Sequence, residues 1–389
     1  MKIEQIYTGC IAHAAYYIES NGEAAIVDPL REVQPYIEKA NKDNAKIKYI
    51  FETHFHADFV SGHLDLAKKT GASIVYGPTA KPNFECIVAT DGQEFKVGEV
   101  TIKAIHTPGH TLESTCYLVT DGTGKQHGII TGDTLFIGDV GRPDLAQELV
   151  EDLTQEILAG HLFDSLRNKI MPLSDDLIVY PNHGAGSACG KNMSKETTDT
   201  LGNQKKVNYA LRADMTKEEF IKELLDGLTP PPAYFPQNVL MNIQGYESLD
   251  AVMSKAETPL HPKEFEAVAN QTDALILDVR NENDFVKEHV PGSIFIGLHG
   301  QFAPWVGALI RDTKQPILLI TPEGKEVETI TRLSRVGFDN TLGFLLGGIE
   351  AWKAAGYETD SIESISPEVF AAQYETAPVI DSRKPGEFS

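Results

Sequence analysis

The segment THFHADFVSG, residues 53–62, spaces His54, His56 and Asp58 two positions apart and follows them with Phe59. Imidazole nitrogens and a carboxylate in that pattern are donors for a transition metal. A phenyl ring is not a donor. A centre of two metals would want a further ligand where Phe59 stands, so the second half of the pattern is blanked out. Other candidates close other β-rich runs: His110 after IKAIHTPG, Asp133 after GIITG and His183 after DLIVYPN. Ends of neighbouring strands converge on one sheet edge, so these residues can meet in space. A lone loop histidine is ordinarily a surface or hydrogen-bonded residue, and His13, His63 and His127 take that reading. His106, inside a strand-like run, is read as packing.

The elements that must position these groups are short. Likeness to strands is strongest in AAIVDP, IKYIFET, SIVYG, VTIKAIHTP, STCYLVT, HGIITGD and DLIVYPNH. The N-terminus predicts strand, turn at Gly9 and Cys10, strand. GHLDLAKKTG has a helical period and a glycine stop. Residues 148–169 predict a longer helix, and DMTKEEFIKELLDGL another, capped by Asp214 or Thr216 and stopped by the prolines of TPPPAYFP.

The ordered set HxHxD, TPGH and TGD resembles the metallo-β-lactamase superfamily over roughly residues 1–200. That resemblance implies an α/β fold, a four-layer αββα sandwich with metal at one sheet edge. Binuclear members carry HxHxDH, and here the string is HFHADF. Within the superfamily the pattern is similar to the persulfide dioxygenases, in the subgroup fused to rhodanese domains, and VYPNHGAGSACG (179–190) carries the same likeness. The resemblance implies one Fe(II) per chain held by His54, His110 and Asp133. Two imidazoles and one carboxylate with open positions suit ferrous iron and dioxygen. It implies outer roles for His56, Asp58 and His183, and substrate contact for Arg142, in FIGDVGRPDL, and for Tyr180. An internal turn contact between Arg142 and Asp144 is the competing reading. Cys189 is read as inert, since a reactive thiol needs a lowered pKa.

In the second half, LILDVRNENDFVKEHVPGSIFIGL and GFDNTLGFLLGGIEAWKAAGY resemble a rhodanese domain of alternating strands and helices. An active rhodanese carries a nucleophilic cysteine in the loop after its central strand. The matching loop, Thr321 to Glu326, reads TPEGKE and has none. The expected organisation is a dioxygenase-like domain over 1–235, a linker over 236–260, a pseudo-rhodanese over 261–360 and the start of a second copy over 365–389. That second copy rests on an internal repeat: Pro262, Phe265, Asp278, Arg280 and Phe285 recur as Pro367, Phe370, Asp381, Arg383 and Phe388. A quarter of a domain cannot bury its own core, so truncation is the expectation.

The formal net charge of -22 argues against nucleic acid or an anionic membrane as partner. No 18-residue apolar run and no signal-like N-terminus occur, and the cytoplasm is the expected location. The four cysteines, without CxxC spacing, are expected as free thiols. The resemblance to the persulfide dioxygenases implies an enzyme oxidising a small thiol persulfide (glutathione, coenzyme A or a similar carrier) with O2 to sulfite and thiol. A dimer or tetramer is the expected assembly, and sulfurtransferase activity is not expected. The alternatives are a thioester or lactone hydrolase of the glyoxalase II type and a non-catalytic persulfide-binding scaffold.

Overall fold

Alternation along the strands dictates the layers. In strand His13–Ser20, Ala14, Tyr16 and Ile18 face one core while Ala15 and Tyr17 face another, all buried. A strand apolar on both faces must be covered on both sides. The computed structural model, which describes residues 1–145, 153–375 and 378–381, builds that arrangement. Strands Lys2–Thr8, His13–Ser20, Glu23–Val27, Lys46–Phe51, Ser73–Tyr76 and Ile87–Val88 lie side by side in chain order. A second sheet runs, from its edge, Asp199–Thr200, Ile178–Pro181, Gln126–Gly132, Thr115–Thr120, Val100–His106 and Glu94–Val97. The two sheets share a dry inner layer that includes Tyr16, Val27, Phe51, Val100, Tyr117 and Ile130. Helices Gln34–Lys42 and His63–Thr70 cover the outer face of the first sheet, and helices Gln155–Ser165 and Lys217–Leu225 that of the second. The αββα sandwich is therefore present.

Local chemistry sets the element ends. Helix His63–Thr70 stops at Gly71 in the left-handed region, φ 73°, a conformation that costs glycine little. Thr216, not Asp214, caps helix Lys217–Leu225, in a capping box with Glu219. Of the helix expected over 148–169, residues 148–152 lie outside the described residues; Gln155–Ser165 is helical and continues into one π turn, Leu166–Ile170.

The rhodanese-like part is a parallel five-stranded sheet in the order Pro259–Leu260, Thr341–Leu345, Ile317–Ile320, Leu275–Asp278, Ile294–Phe295. Its apolar face is continuous with the first sheet's outer core: one cluster runs from Ile26 and Phe59 through Tyr234 and Phe235 to Leu319 and Phe338. The stretch 236–260, expected as a linker, instead contributes two helices, Phe235–Gln244 and Leu249–Ala256, wedged between the two parts. Spacing of Phe235, Val239 and Ile243 four apart explains it: the stretch has an apolar helical face to bury. In the repeat, Phe265 is buried, whereas its counterpart Phe370, on helix Pro367–Gln373, is exposed. Arg383 and Phe388 lie outside the described residues. Among the described residues, no helix is long and apolar enough to cross a membrane.

Candidate metal centre

His54, His110 and Asp133 converge as expected. One ligand atom of each lies within 4.8 Å of the others, and all three are buried. His110 Nε2 is 3.4 Å and His54 Nε2 4.0 Å from Asp133 Oδ2. Ligands about 2.1 Å from a tetrahedral ion stand roughly 3.4 Å apart, so the first spacing already fits an ion. Both imidazoles are oriented through their other nitrogen. His110 Nδ1 donates to the Arg142 carbonyl at 2.7 Å, and His54 Nδ1 meets Thr53 Oγ1 at 2.9 Å. Such contacts fix the ring that presents Nε2 to a metal. Burial, with His56, His110 and His183 nearby, pushes the His54 pKa well below the usual histidine value. A neutral imidazole is the ligand form. Both Asp133 carboxylate oxygens are buried without a hydrogen-bond partner. Such a group is costly unless a cation meets it, and the donor set therefore fits a divalent metal.

Phe59 is fully buried, its ring 4.3 Å from both the His13 and His56 rings. It fills the place of a second-site ligand with hydrocarbon. A second buried group nevertheless assembles beside the first: Asp58, His183 and Cys189. His183 Nε2 is 3.5 Å from Asp58 Oδ2 and 3.5 Å from Asp133 Oδ1, while its Nδ1 donates to the Ala12 carbonyl at 3.1 Å. Burial, and then the charges of Asp58 and Asp133, hold the Cys189 pKa well above the ordinary thiol value. Without a metal ion the thiol keeps its proton, which makes it a poor nucleophile. Phe59→His should change this balance. The imidazole is smaller than the phenyl ring and supplies the missing donor. Metal content should rise from about one towards about two per chain, because three good donors then surround the second position; unchanged stoichiometry by elemental analysis would contradict the assignment.

His56 lies beside the triad, its ring 4.2 Å from that of His54 and its Nδ1 buried without a hydrogen-bond partner. Its Nε2 faces Asp28 Oδ1 at 3.0 Å and Glu52 Oε2 at 3.4 Å. Burial alone would lower its pKa, but the two carboxylates outweigh burial and raise it well above the usual value. Asp28 also accepts from the Thr53 backbone at 2.8 Å and from Asn182 Nδ2 at 2.7 Å. Sequence reading missed Asp28 and Glu52, although both stand at strand ends. It also read His13 and His63 as ordinary loop histidines. Both are fully buried: His13 bonds the Asp28 carbonyl at 2.9 Å and His63 faces Glu52 at 3.3 Å. Asn242, on the wedged helix, left no signal. Its Nδ2 donates to the His56 and Phe59 carbonyls at 2.8 and 2.9 Å, and its Oδ1 accepts from the Ser61 backbone at 2.9 Å.

Of the two expected substrate contacts, Arg142 lines an open pocket with Ala188, Lys191 and Asn192. The Arg142 guanidinium grips Asp144 at 2.6 and 2.7 Å and donates to the Ala188 and Thr229 carbonyls. Four of its five N–H groups are thus spent inside the protein, and its bearing on the centre is through the carbonyl that orients His110. Tyr180 packs against Tyr16, ring centroids 5.5 Å apart, on the strand rather than at the triad. A cavity of about 420 Å³ lies against His110, with Phe55, Leu112, Leu145, Val239 and Ile243 among its walls. In the rhodanese-like loop, the Glu326 carboxylate accepts from Thr321 Oγ1 at 3.1 Å and from the Gly324 backbone at 3.3 Å. It occupies donors with which such a loop would otherwise hold an anion.

Comparison with known proteins agrees with this architecture. The family model of the metallo-beta-lactamase superfamily matches residues 8–183, and that of the rhodanese-like domain matches residues 261–355. A solved metallo-beta-lactamase structure from Staphylococcus aureus is 31% identical, with a TM-score of 0.77 over 88% of this chain and 98% of its own. The chain belongs to the metallo-beta-lactamase superfamily. More particularly, it is a metallo-beta-lactamase domain followed by a rhodanese-like domain. ETHE1 from Myxococcus xanthus is 25% identical, with a TM-score of 0.53 over 62% of this chain and 98% of its own. A probable hydroxyacylglutathione hydrolase of Schizosaccharomyces pombe is 31% identical over 46% of this chain, and the match spans 66% of that relative's length.

Proposed function

We propose that this chain is a mononuclear iron persulfide dioxygenase that takes a thiol persulfide, O2 and water to thiol and sulfite. The observation that carries the reading is Phe59, buried between two imidazoles where a second metal would need a donor. Ferrous iron held by two imidazoles and one carboxylate supplies dioxygen chemistry at a centre with open positions. The chain's own residues do the rest. Thr53 Oγ1 and the Arg142 carbonyl aim His54 and His110, and burial keeps His54 neutral. Asp133 contributes the one negative charge of the triad. Phe55, Leu112 and Leu145 make the approach to His110 largely apolar. The rhodanese-like module takes no part in sulfur transfer, lacking a cysteine and having Glu326 seated in its loop.

A second reading is a thioester hydrolase using a metal-activated water. The similarity to a hydroxyacylglutathione hydrolase favours it, as does the group Asp58, His183 and Cys189 beside the triad. Phe59 stands against it. Metal analysis with oxygen-electrode measurements separates the two. The proposal expects about one iron per chain, as a single triad allows, and persulfide-dependent O2 uptake with sulfite release. Zinc, no O2 uptake and turnover of S-acyl thiols would establish the hydrolase instead.

A further inference from the structure

We propose that the cavity beside His110 receives the arm of the thiol carrier and that Lys81 binds an anionic group at the arm's far end. The inference rests on the persulfide reading of the centre. The cavity touches His110 at one end, and its walls are mainly the apolar side chains of Phe55, Leu112, Leu145, Val239 and Ile243. Its volume is about 420 Å³. That admits an arm and leaves a bulky remainder of the carrier outside.

The two charged side chains on its walls differ in burial. Glu113 is buried, and its carboxylate accepts from the Phe55 backbone at 2.9 Å. An anion close to the sulfur would meet that carboxylate in a poorly solvated place. Lys81 also lines the cavity, is exposed, and forms no ion pair among the described residues. Its segment is fixed rather than loose. Thr79 holds the turn at φ 70°, and the Asn83 backbone donates to the Ile243 carbonyl at 2.8 Å, fastening the turn to the helix that walls the cavity. The substrate class this selects is a persulfide on a neutral amide or alkyl arm that ends in a carboxylate or phosphate. Amino-acid thiols, with a carboxylate a few bonds from sulfur, fit badly.

Equilibrium binding of the free thiols tests the subsite without turnover. Pantetheine, 4′-phosphopantetheine and cysteine are titrated calorimetrically into wild type, Lys81→Ala and Lys81→Glu, with metal content as the check on folding. In wild type, phosphopantetheine should bind about tenfold more tightly than pantetheine, a charge-assisted contact being worth about 1.4 kcal/mol, and cysteine should bind most weakly. Lys81→Ala should abolish the phosphate's advantage and Lys81→Glu should reverse it. Equal binding of the two pantetheines to wild type, or an advantage that survives Lys81→Ala, overturns the subsite. Should the variants fail to fold, ionic strength decides: the wild-type advantage must shrink as salt rises. The binding pattern without any persulfide-dependent O2 uptake would retain the subsite and remove the dioxygenase reading.

Discussion

Asp133→Ala is expected to empty the metal centre and to lower turnover by at least about 10³-fold, the scale of losing a ligand that holds the reacting centre. The remaining donors, His54 and His110, are both neutral when they ligate, so the variant loses the triad's only charge. The sign of the stability change is as informative as the loss of activity. In the metal-free protein the Asp133 oxygens are buried and unpartnered. Removing them should leave the metal-free fold no less stable, and more stable by about 1 kcal/mol, since an unsatisfied buried polar group is a cost. With metal present the order reverses, because an ion bound only by the native state stabilises it by mass action. Chemical denaturation of both proteins, each with chelator and with added ferrous iron, reads the crossing directly. Retained O2 uptake in Asp133→Ala would remove the ligand assignment.

How much of this was readable from sequence depends on the range of the interactions. His54, His110, Asp133 and His183 announce themselves because each sits where a β-rich run ends, and strand ends meet by topology. The αββα layers follow from strands apolar on both faces. Arg142 was legible only as two competing readings, because a GRxD string does not say whether its guanidinium turns outward or folds back on Asp144 and the carbonyls of Ala188 and Thr229. Its contribution is a backbone carbonyl, which every residue type carries. Asn242 was invisible for a different reason. It lies 186 and 183 positions from the carbonyls it holds, on a helix read as linker because its apolar period spans barely three turns. Short helices carry weak periodic signals, and tertiary packing stabilises most of them.

These missed residues change what the second half of the chain is for. The loop from His56 to Ser61 has few backbone partners within its own domain. Asn242 takes two of its carbonyls and the Ser61 amide, and the Val60 amide donates at 2.7 Å to the carbonyl of Arg335, on the rhodanese-like helix Glu326–Arg335. Unmet backbone groups in a buried loop are costly, so these bonds hold the loop's shape. Helix Phe235–Gln244 and, through the Arg335 carbonyl, the rhodanese-like part thus form the wall against which the loop following His54 is built.

Arg31→Ala should expose that dependence. Arg31 is fully buried where the sandwich meets the rhodanese-like part. It donates to both Asp339 oxygens at 2.5 and 2.8 Å, to the Ser334 carbonyl at 2.9 Å and to the Glu247 carbonyl at 2.7 Å. Its guanidinium also lies 5.0 Å from the Tyr246 ring, and the Tyr246 hydroxyl donates to the Ser61 carbonyl. Alanine leaves a cavity, two orphaned carbonyls and a carboxylate without its cation. Asp339 keeps 21% of its side-chain exposure, so solvent softens the electrostatic part. The net loss should be about 3 kcal/mol, at the lower end for breaking a buried pair. Because Tyr246 and Ser61 connect Arg31 to the metal loop, ferrous affinity should fall about tenfold, as for removal of a supporting contact to a ligand. Arg31→Lys restores a charge but not the fork that meets Asp339 with two bonds, so it should recover part of the stability and little of the affinity. Chelator competition on folded protein below the unfolding transition measures the second effect apart from the first. Unaltered metal affinity in a destabilised Arg31→Ala protein would show that the two halves are joined without the rhodanese-like module shaping the centre.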